Sequence, residues 1–323
     1  MSPSPTYRRE RRVLQLLLAF LIALFLPAAL MGAATSPAHH HPVTWRVLAG
    51  NQSHDLAIQG MSYLPKNIWI DAGDTVHWVA NSAEPHTVTF LAAGQTLAST
   101  QPFNPGNPQQ TTVVGGSSYD GHSYYNSGVL TTEAQFGFGI TPVQSYSLRF
   151  PHRGTFTYWC LLHGAAMKGV VHVQRAGAHY PYTQRQYDAQ GVRAANRILS
   201  DGYDLWEETA EHASNHRVLE GNDDGTAMVM RFIRPTVHVR VGQSVTFANI
   251  GMGAPHTVTF GQEPPNPFPP SGDPKHYAGG NLNSGIQPPG ASFTVTFTKE
   301  GTFSYICALH DYMGMVGKVV VED

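Results

Sequence analysis

Two cysteines and the histidines near them are the residues best suited to chemistry in this chain of 323 residues. Cys160 and Cys307 are its only cysteines, and a histidine follows each of them three positions later. The surrounding segments also match, since GTFTYWCLLH at 154–163 recurs as GTFSYICALH at 301–310. One Cys/His arrangement is therefore kept in each of two repeats.

A second repeated motif supplies another histidine to each set. The hexapeptide PHTVTF occurs at 85–90 and again at 255–260, upstream of the two cysteines. A methionine follows the later histidine by four positions in the first repeat and by five in the second. The candidate ligand sets are His86, Cys160, His163 and Met167 in the first repeat and His256, Cys307, His310 and Met315 in the second, with Met313 as an alternative axial ligand.

One thiolate, two imidazoles and a weakly bound thioether are the ligands of a blue-copper centre. Two other interpretations remain open. Cys160 and Cys307 could form a disulfide in an exported protein, although a disulfide does not require the repeated His and Met positions. Zinc also binds Cys and His, but a structural zinc site usually has four strong ligands, and a thioether is a poor fourth.

On these residues the chain resembles the cupredoxins, the plastocyanin and azurin family, over roughly residues 43–175 and 226–323. The segment CALHDYMGMVGKV at 307–319 is similar to a plastocyanin ligand loop that runs into its last strand, and the shorter first loop is similar to that of azurin. The resemblance implies electron transfer with a redox protein donor and acceptor. It also implies that His163 and His310 are the exposed electron ports.

The strand patterns around the ligands predict an all-β fold. Segments 67–79 and 236–247 read as strand, glycine turn and strand, and 146–150 and 293–297 alternate apolar and polar residues. Two Greek-key β-sandwiches at 43–175 and 226–323 fit this layout. The connector at 176–225 contains helix formers interrupted by glycines, which predicts a short helix or two.

The first repeat is longer than the second between its upstream histidine and its cysteine. His86 and Cys160 lie 74 positions apart, whereas His256 and Cys307 lie 51 apart. A shared Asn-Ser-Gly, at 126–128 and 283–285, divides the 23 additional residues into 13 before it and 10 after it. We expect these insertions to form surface loops near the metal end, with structural decoration as the open alternative.

Residues 1–34 have the pattern of a targeting segment, with arginines at 8–12 before an apolar run at 13–30 and small residues at 32–34. This pattern predicts export to the periplasm or the extracellular space, and an uncleaved membrane anchor is the open alternative. His39–His41 follow the segment and could hold exchangeable copper or form a polar terminus.

Composition and the residues beside the cysteines limit the classes of function that fit this chain. Charged residues make up 13% of the chain and the formal net charge is -2, so the composition does not indicate binding to nucleic acid. Histidines that would build a second, catalytic copper cluster in related oxidases and nitrite reductases are replaced by Leu91, Trp159, Leu161, Gly261, Ile306 and Ala308. The sequence therefore predicts one-electron transfer by two type 1 copper ions. An oxidase or reductase with an unrecognised copper, a copper-scavenging protein and the oligomeric state stay open.

Overall fold

The structure is a computed structural model that describes residues 41–134 and 139–323. The predicted targeting segment, 1–34, and His39 and His40 lie outside the described residues. In the first repeat the insertion before Asn126 contains a 3-10 helix at Leu97–Thr100 and a short helix, α1, at Pro108–Thr111. The strands of this repeat are β1 (Thr44–Gln52), β2 (Ile58–Leu64), β3 (Asn67–Asp71), β4 (Thr75–Ala80), β5 (Thr89–Phe90), β6 (Val113–Val114), β7 (Tyr125–Ser127), β8 (Ser145–Arg149), β9 (Gly154–Cys160) and β10 (Gly164–Gln174).

The second repeat has the same order of strands but, among the described residues, no counterpart of β6. A 3-10 helix at Asp311–Met313 lies in its ligand loop. Its strands are β11 (Arg217–Asp223), β12 (Ala227–Ile233), β13 (Thr236–Arg240), β14 (Ser244–Ala248), β15 (Thr259–Phe260), β16 (Leu282–Asn283), β17 (Ser292–Thr296), β18 (Gly301–Ile306) and β19 (Val316–Glu322). The predicted all-β fold class, with two sandwiches and a partly helical connector, is confirmed.

Each repeat packs two sheets around an aromatic core. In the first, β3, β10, β9, β5, β7 and β6 form one sheet, and β1, β2, β4 and β8 face it. Trp78 from β4 contacts Tyr158 from β9 with ring centroids 5.2 Å apart, and at the same positions of the second repeat Phe247 contacts Tyr305 at 4.9 Å. Since β9 ends at a cysteine and the PHTVTF segment leads into β5, the fold brings their ligands to one end of the sandwich.

The two sandwiches are joined into one eight-stranded sheet, in the order β17-β14-β11-β12-β2-β1-β4-β8. Its central pair is antiparallel, and Gln59 of β2 lies opposite Met228 of β12. These two residues hold equivalent positions in their repeats, because β1 pairs with β2 in the same register as β11 with β12. The domains are therefore related by an approximate two-fold axis that passes between Gln59 and Met228.

Backbone hydrogen bonds at this junction obey the same symmetry. Met61 donates to the Thr226 carbonyl over 2.9 Å, and its counterpart Met230 donates to the Ala57 carbonyl over 2.7 Å. Pairing of β2 with β12 removes an edge strand from each sandwich, which would otherwise present unpaired backbone groups to solvent.

The connector helix is longer than predicted. Helix α2 runs without interruption over Gln184–Ala210, 27 residues, and Thr183 begins it with a capping box. The two glycines that favoured a break are buried within it: a Cβ at Gly202 would lie 2.3 Å from Ile58, and one at Gly191 3.4 Å from Leu64. Close packing on β2 offsets the roughly 1 kcal/mol that glycine costs in a helix.

The predicted connector, 176–225, also includes β11. This strand pairs with β12 and β14, so it belongs to the sheet of the second sandwich. Helix α2 packs across the junction, where Ile198 lies in one apolar cluster with Ile58 of the first domain and Val229 of the second. Among the described residues, no helix has the length and apolar character needed to cross a bilayer.

Candidate metal centres

The first candidate centre brings together three of the predicted ligands. His86 Nδ1 lies 3.2 Å from His163 Nδ1, and Cys160 Sγ lies 3.9 and 3.3 Å from those two nitrogens. Cys160 has no exposed surface, and the side chains of both histidines are almost completely buried. Both cysteines of the chain are free and buried, so the disulfide interpretation is wrong.

The second centre repeats this triangle within about 0.1 Å on every side. His256 Nδ1 lies 3.2 Å from His310 Nδ1, and Cys307 Sγ lies 3.8 and 3.4 Å from them. An ion bound at typical N and S distances of about 2.0–2.3 Å would separate its donors by about 3.4–3.8 Å. The two triangles therefore fit a single metal ion each.

The methionines are buried beside the cysteines. Met167 shares the first domain's core cluster with Cys160, and Met315 shares the second domain's cluster with Cys307; neither methionine has exposed surface. Met167 lies where the pairing of β9 with β10 shifts register, and Met315 accepts a backbone hydrogen bond from Cys307 over 3.0 Å. A soft, weakly binding thioether beside each donor triangle suits copper better than zinc.

Hydrogen bonds from the PHTVTF motif hold each thiol. The Thr87 amide donates to Cys160 Sγ and the Thr257 amide to Cys307 Sγ, both over 3.4 Å. The same threonine hydroxyls accept from the backbone amide after the cysteine, that of Leu161 in one repeat and Ala308 in the other, over 2.8 Å. The repeated threonine thus fixes the cysteine and the start of the ligand loop together.

The Asn-Ser-Gly motif, whose role the sequence did not reveal, supports this threonine segment. Asn126 accepts a hydrogen bond from the Thr89 hydroxyl, and Ser127 accepts one from the Val88 amide. Asn283 and Ser284 make the corresponding bonds in the second repeat over 2.8 Å. Their recurrence upstream of both cysteines was a usable signal for residues that position the ligands.

A glycine makes room for the first histidine of each set. Gly50 and Gly221 lie at register shifts of β1 and β11 and have φ of 78° and 71°. A Cβ at Gly50 would lie 2.4 Å from His86 Nε2, and one at Gly221 would lie 2.3 Å from the Val229 carbonyl oxygen and 3.5 Å from His256 Nε2. Both the left-handed backbone and the close approach therefore require glycine.

Beyond the donor atoms, the imidazoles of the first centre have polar side-chain partners that those of the second lack among the described residues. Ser82 Oγ lies 2.9 Å from His86 Nε2, and Glu84 Oε1 lies 3.1 Å from His163 Nε2. Burial lowers the pKa of His163, but the Cys160 thiolate and Glu84 outweigh it and raise that pKa to about 10. For Cys160 the balance runs the other way. Burial raises the pKa of this thiol, but His163 and hydrogen bonds outweigh burial, so the pKa lies below its ordinary value.

The second centre differs from the first in the pKa values of its donors and in the carboxyl group near its thiol. Burial raises the pKa of Cys307 to about 12, and the same cause lowers the pKa of His310. In β11, Glu220 is completely buried near this thiol, and neither of its carboxyl oxygens has a hydrogen-bond partner among the described residues. Burial raises the pKa of Glu220 to about 8. The matching position of the first domain is Ala49.

The prediction that His163 and His310 are exposed ports is wrong. The His163 side chain is 4% exposed, and His310 is 8% exposed. The His163 ring is covered within its own domain by Glu84, which contacts its Nε2. At His310 the cause is the interface, because Met313 of the same loop joins the core cluster of the first domain. The sequence of one domain does not contain this information.

The first insertion contacts the ligand loop, as expected. Gln101, which follows the 3-10 helix of the insertion, donates through its amide to the Leu161 carbonyl over 2.8 Å. The second insertion includes residues 135–138, outside the described part. His77 contacts Ser147 and His238 lies near Glu322, so neither of these strand histidines joins a donor triangle.

Two β-sandwiches, each with a buried triangle of two imidazoles and a thiol, define a two-domain copper-binding protein. The family model for copper binding proteins of the plastocyanin/azurin family matches residues 51–174 and 218–322, more than half of the chain. The chain belongs to this family.

Individual relatives match one domain at a time. Plastocyanin of Sambucus nigra is 34% identical over 105 residues, which are 32% of this chain and 98% of the relative, and plastocyanin of Mercurialis perennis is 35% identical over the same shares. Among solved structures, a Cu(I) form of an amicyanin mutant is 29% identical and covers 34% of this chain and 82% of its own, with a TM-score of 0.24.

Proposed function

We propose that this protein carries single electrons through two type 1 copper sites, one in each domain. The observation that carries the proposal is the repeated donor triangle, with both imidazoles turned by Nδ1 toward a buried thiol. The proposed ligands are His86, Cys160, His163 and Met167 in domain 1 and His256, Cys307, His310 and Met315 in domain 2. Copper bound there would supply a Cu(I)/Cu(II) couple.

The protein's part in this function is to hold the donors still. Ligands on loops clamped by two sheets, with their supporting hydrogen bonds satisfied, keep their positions when the charge of the ion changes. The amides of Thr87 and Thr257 donate to sulfur and so favour the thiolate that the metal requires. Burial of both sites keeps water away from the metal.

The biological setting is part of the proposal. The pattern of residues 1–34 supports export to the periplasm or the extracellular space. The functional partners would be a protein electron donor and a protein acceptor. The domain limits 43–175 and 226–323 remain the proposed units, with β11 (Arg217–Asp223) added to the second by its pairing.

The test is to load the purified protein with Cu(II), remove loose metal and record the copper-to-protein ratio, the visible spectrum and the paramagnetic resonance. Cys160→Ser and Cys307→Ser are matched variants that each remove one site. We expect two coppers with intense thiolate-to-copper absorption and narrow hyperfine splitting, and one such copper in each variant. A colourless protein that still holds copper would contradict electron transfer and indicate storage.

A further inference from the structure

Glu84 lies at the interface between the two centres. Its Oε1 contacts His163 Nε2 over 3.1 Å, and its Oε2 is buried without a hydrogen-bond partner among the described residues. The Glu84 amide donates over 3.2 Å to Gln59, the residue beside the approximate two-fold axis. A carboxylate near this axis is close to both ligand loops.

The ligand loop of domain 2 surrounds the same carboxylate. The Tyr312 hydroxyl donates a long hydrogen bond of 3.5 Å to the carbonyl of Ala83, which precedes Glu84. Burial lowers the pKa of His310, and the charge of Glu84 opposes that effect. Burial, and after it the charge of Glu84, raises the pKa of Tyr312. Arg231 links the ligand loop of domain 2 to domain 1, because its guanidinium donates to the carbonyls of Met313 in domain 2 and Asp55 in domain 1.

The position is not symmetric. Counting back from the ligand histidine of each PHTVTF motif, the counterpart of Glu84 is Ala254, which is also buried at the interface. The first domain therefore places a carboxylate at the interface, whereas the second domain has an alanine at the equivalent position.

We propose that the two metal sites exchange electrons within one chain, and that Glu84, hydrogen-bonded to His163 and facing the His310 loop, forms the bridge between them. The proposal rests on the proposed function. With copper bound at both sites, one electron would pass from the reduced site to the oxidised site, with no covalent bond changed and no further reductant needed.

The bridge explains why both expected ports are buried. A buried ligand histidine cannot contact a separate redox protein, but it can still pass electrons to the other domain of the same chain. Glu84 fixes the His163 ring, and the residue before it, Ala83, accepts the hydrogen bond from Tyr312 of the His310 loop. Glu84 acts as a positioning residue, because it contacts the side chain of a proposed ligand, His163.

The experiment measures electron redistribution in protein saturated with copper at both sites. Met167→Gln and Met315→Gln each change one axial position, so that one site can be told from the other by its spectrum. A photochemical pulse delivers less than one electron per chain, and the approach of the two sites to equilibrium is followed. We expect first-order redistribution with a rate independent of protein concentration.

Substitutions then test the bridge. Glu84→Ala should slow redistribution by roughly tenfold or more, because it removes the outer partner that orients the His163 ring. Glu84→Gln, which keeps the size of the side chain, should slow it less. Moving the carboxylate in Glu84→Ala/Ala254→Glu should restore part of the rate. The control Glu133→Gln removes another charge near Tyr312 and should leave the rate unchanged.

The outcomes separate this inference from the proposed function. If blue copper forms at both sites but redistribution is second-order, or equally fast in the wild type, Glu84→Ala and Glu84→Gln, the bridge is overturned while the two copper sites stand. If blue copper does not form, the proposed function itself fails. Should Glu84→Ala not retain copper, Glu84→Gln decides, and a rate equal to that of the wild type would reject the bridge.

Discussion

The two metal centres share their donor geometry and differ in what surrounds it. Both triangles rest on the same threonine, Asn-Ser-Gly and glycine supports. Around them, the first centre has Ser82 and Glu84 on its imidazoles, whereas the second has neither and instead has Glu220 in its core. The repeated residues thus set the geometry, and the unrepeated residues set the charge.

The largest expected difference concerns the thiols of the metal-free protein. The pKa of Cys160 lies below its ordinary value of 9.0, whereas burial raises that of Cys307 to about 12. Titration followed by ultraviolet thiolate absorbance should show the Cys160 thiol ionising at a clearly lower pH than the Cys307 thiol. Cys160→Ser should abolish the earlier step and Cys307→Ser the later one; two coincident steps would contradict the contrast.

Removing the buried carboxyl should stabilise the second domain. The folded pKa of Glu220 is raised from 4.5 to about 8, so the folded protein keeps a proton that the unfolded chain releases above pH 4.5. Stability is therefore lost as pH rises from about 4.5 to about 8. Glu220→Gln should raise the free energy of unfolding at pH 7 by on the order of 3 kcal/mol, and by little at pH 4.

Chemical denaturation of the metal-free protein at the two pH values measures this effect. Glu300→Gln, at an exposed carboxyl, is the control and should change neither value. An equal stabilisation by Glu220→Gln at both pH values would mean that the carboxyl is not held protonated by the fold.

Loss of the Ser82 hydroxyl should weaken only the first centre. Ser82→Ala removes the partner of His86 Nε2, and we expect copper affinity there to fall by roughly tenfold. Met252→Ala changes the counterpart in domain 2, which is 69% exposed, and should leave both affinities unchanged. Competition with a chelator, read from the two blue spectra, distinguishes the sites; equal weakening of both would refute the asymmetry.

The smallest expected difference lies in the shared support. Ser127→Ala and Ser284→Ala each leave a buried amide, that of Val88 or Val258, without its acceptor. Each should cost about 1–3 kcal/mol of unfolding free energy, with similar values for the two. Unfolding curves of both variants would show whether the supports are as equivalent as their geometry.

Repetition explains how much of the site the sequence predicted. The candidate ligands, the strands beside them and the two sandwiches all carried signals that occurred twice. Glu84 and Glu220 were missed because each occurs in one repeat only, and a single carboxylate in a sequence gives no indication that it will be buried. The pairing of β2 with β12 was also missed, because strand edges of two domains carry no mark of which edge they will meet.

The glycines of α2 show a different limit. Gly191 and Gly202 predicted breaks by their local preference, but both allow the helix to lie close to β2. Contacts with β2 therefore keep these two positions helical, although glycine by itself has a weak preference for helix. The burial of His310 follows from contact between the two domains, and only the assembled pair of domains reveals it.

X-ray absorption at the copper edge tests the central claim most directly, measured on Cys307→Ser and Cys160→Ser protein so that each centre is seen alone. The repeated triangle predicts the same fine structure for both, with two nitrogen ligands and one short sulfur ligand around each copper. A centre without the short sulfur, or two centres with different donor sets, would contradict the claim that one ligand geometry has been kept twice.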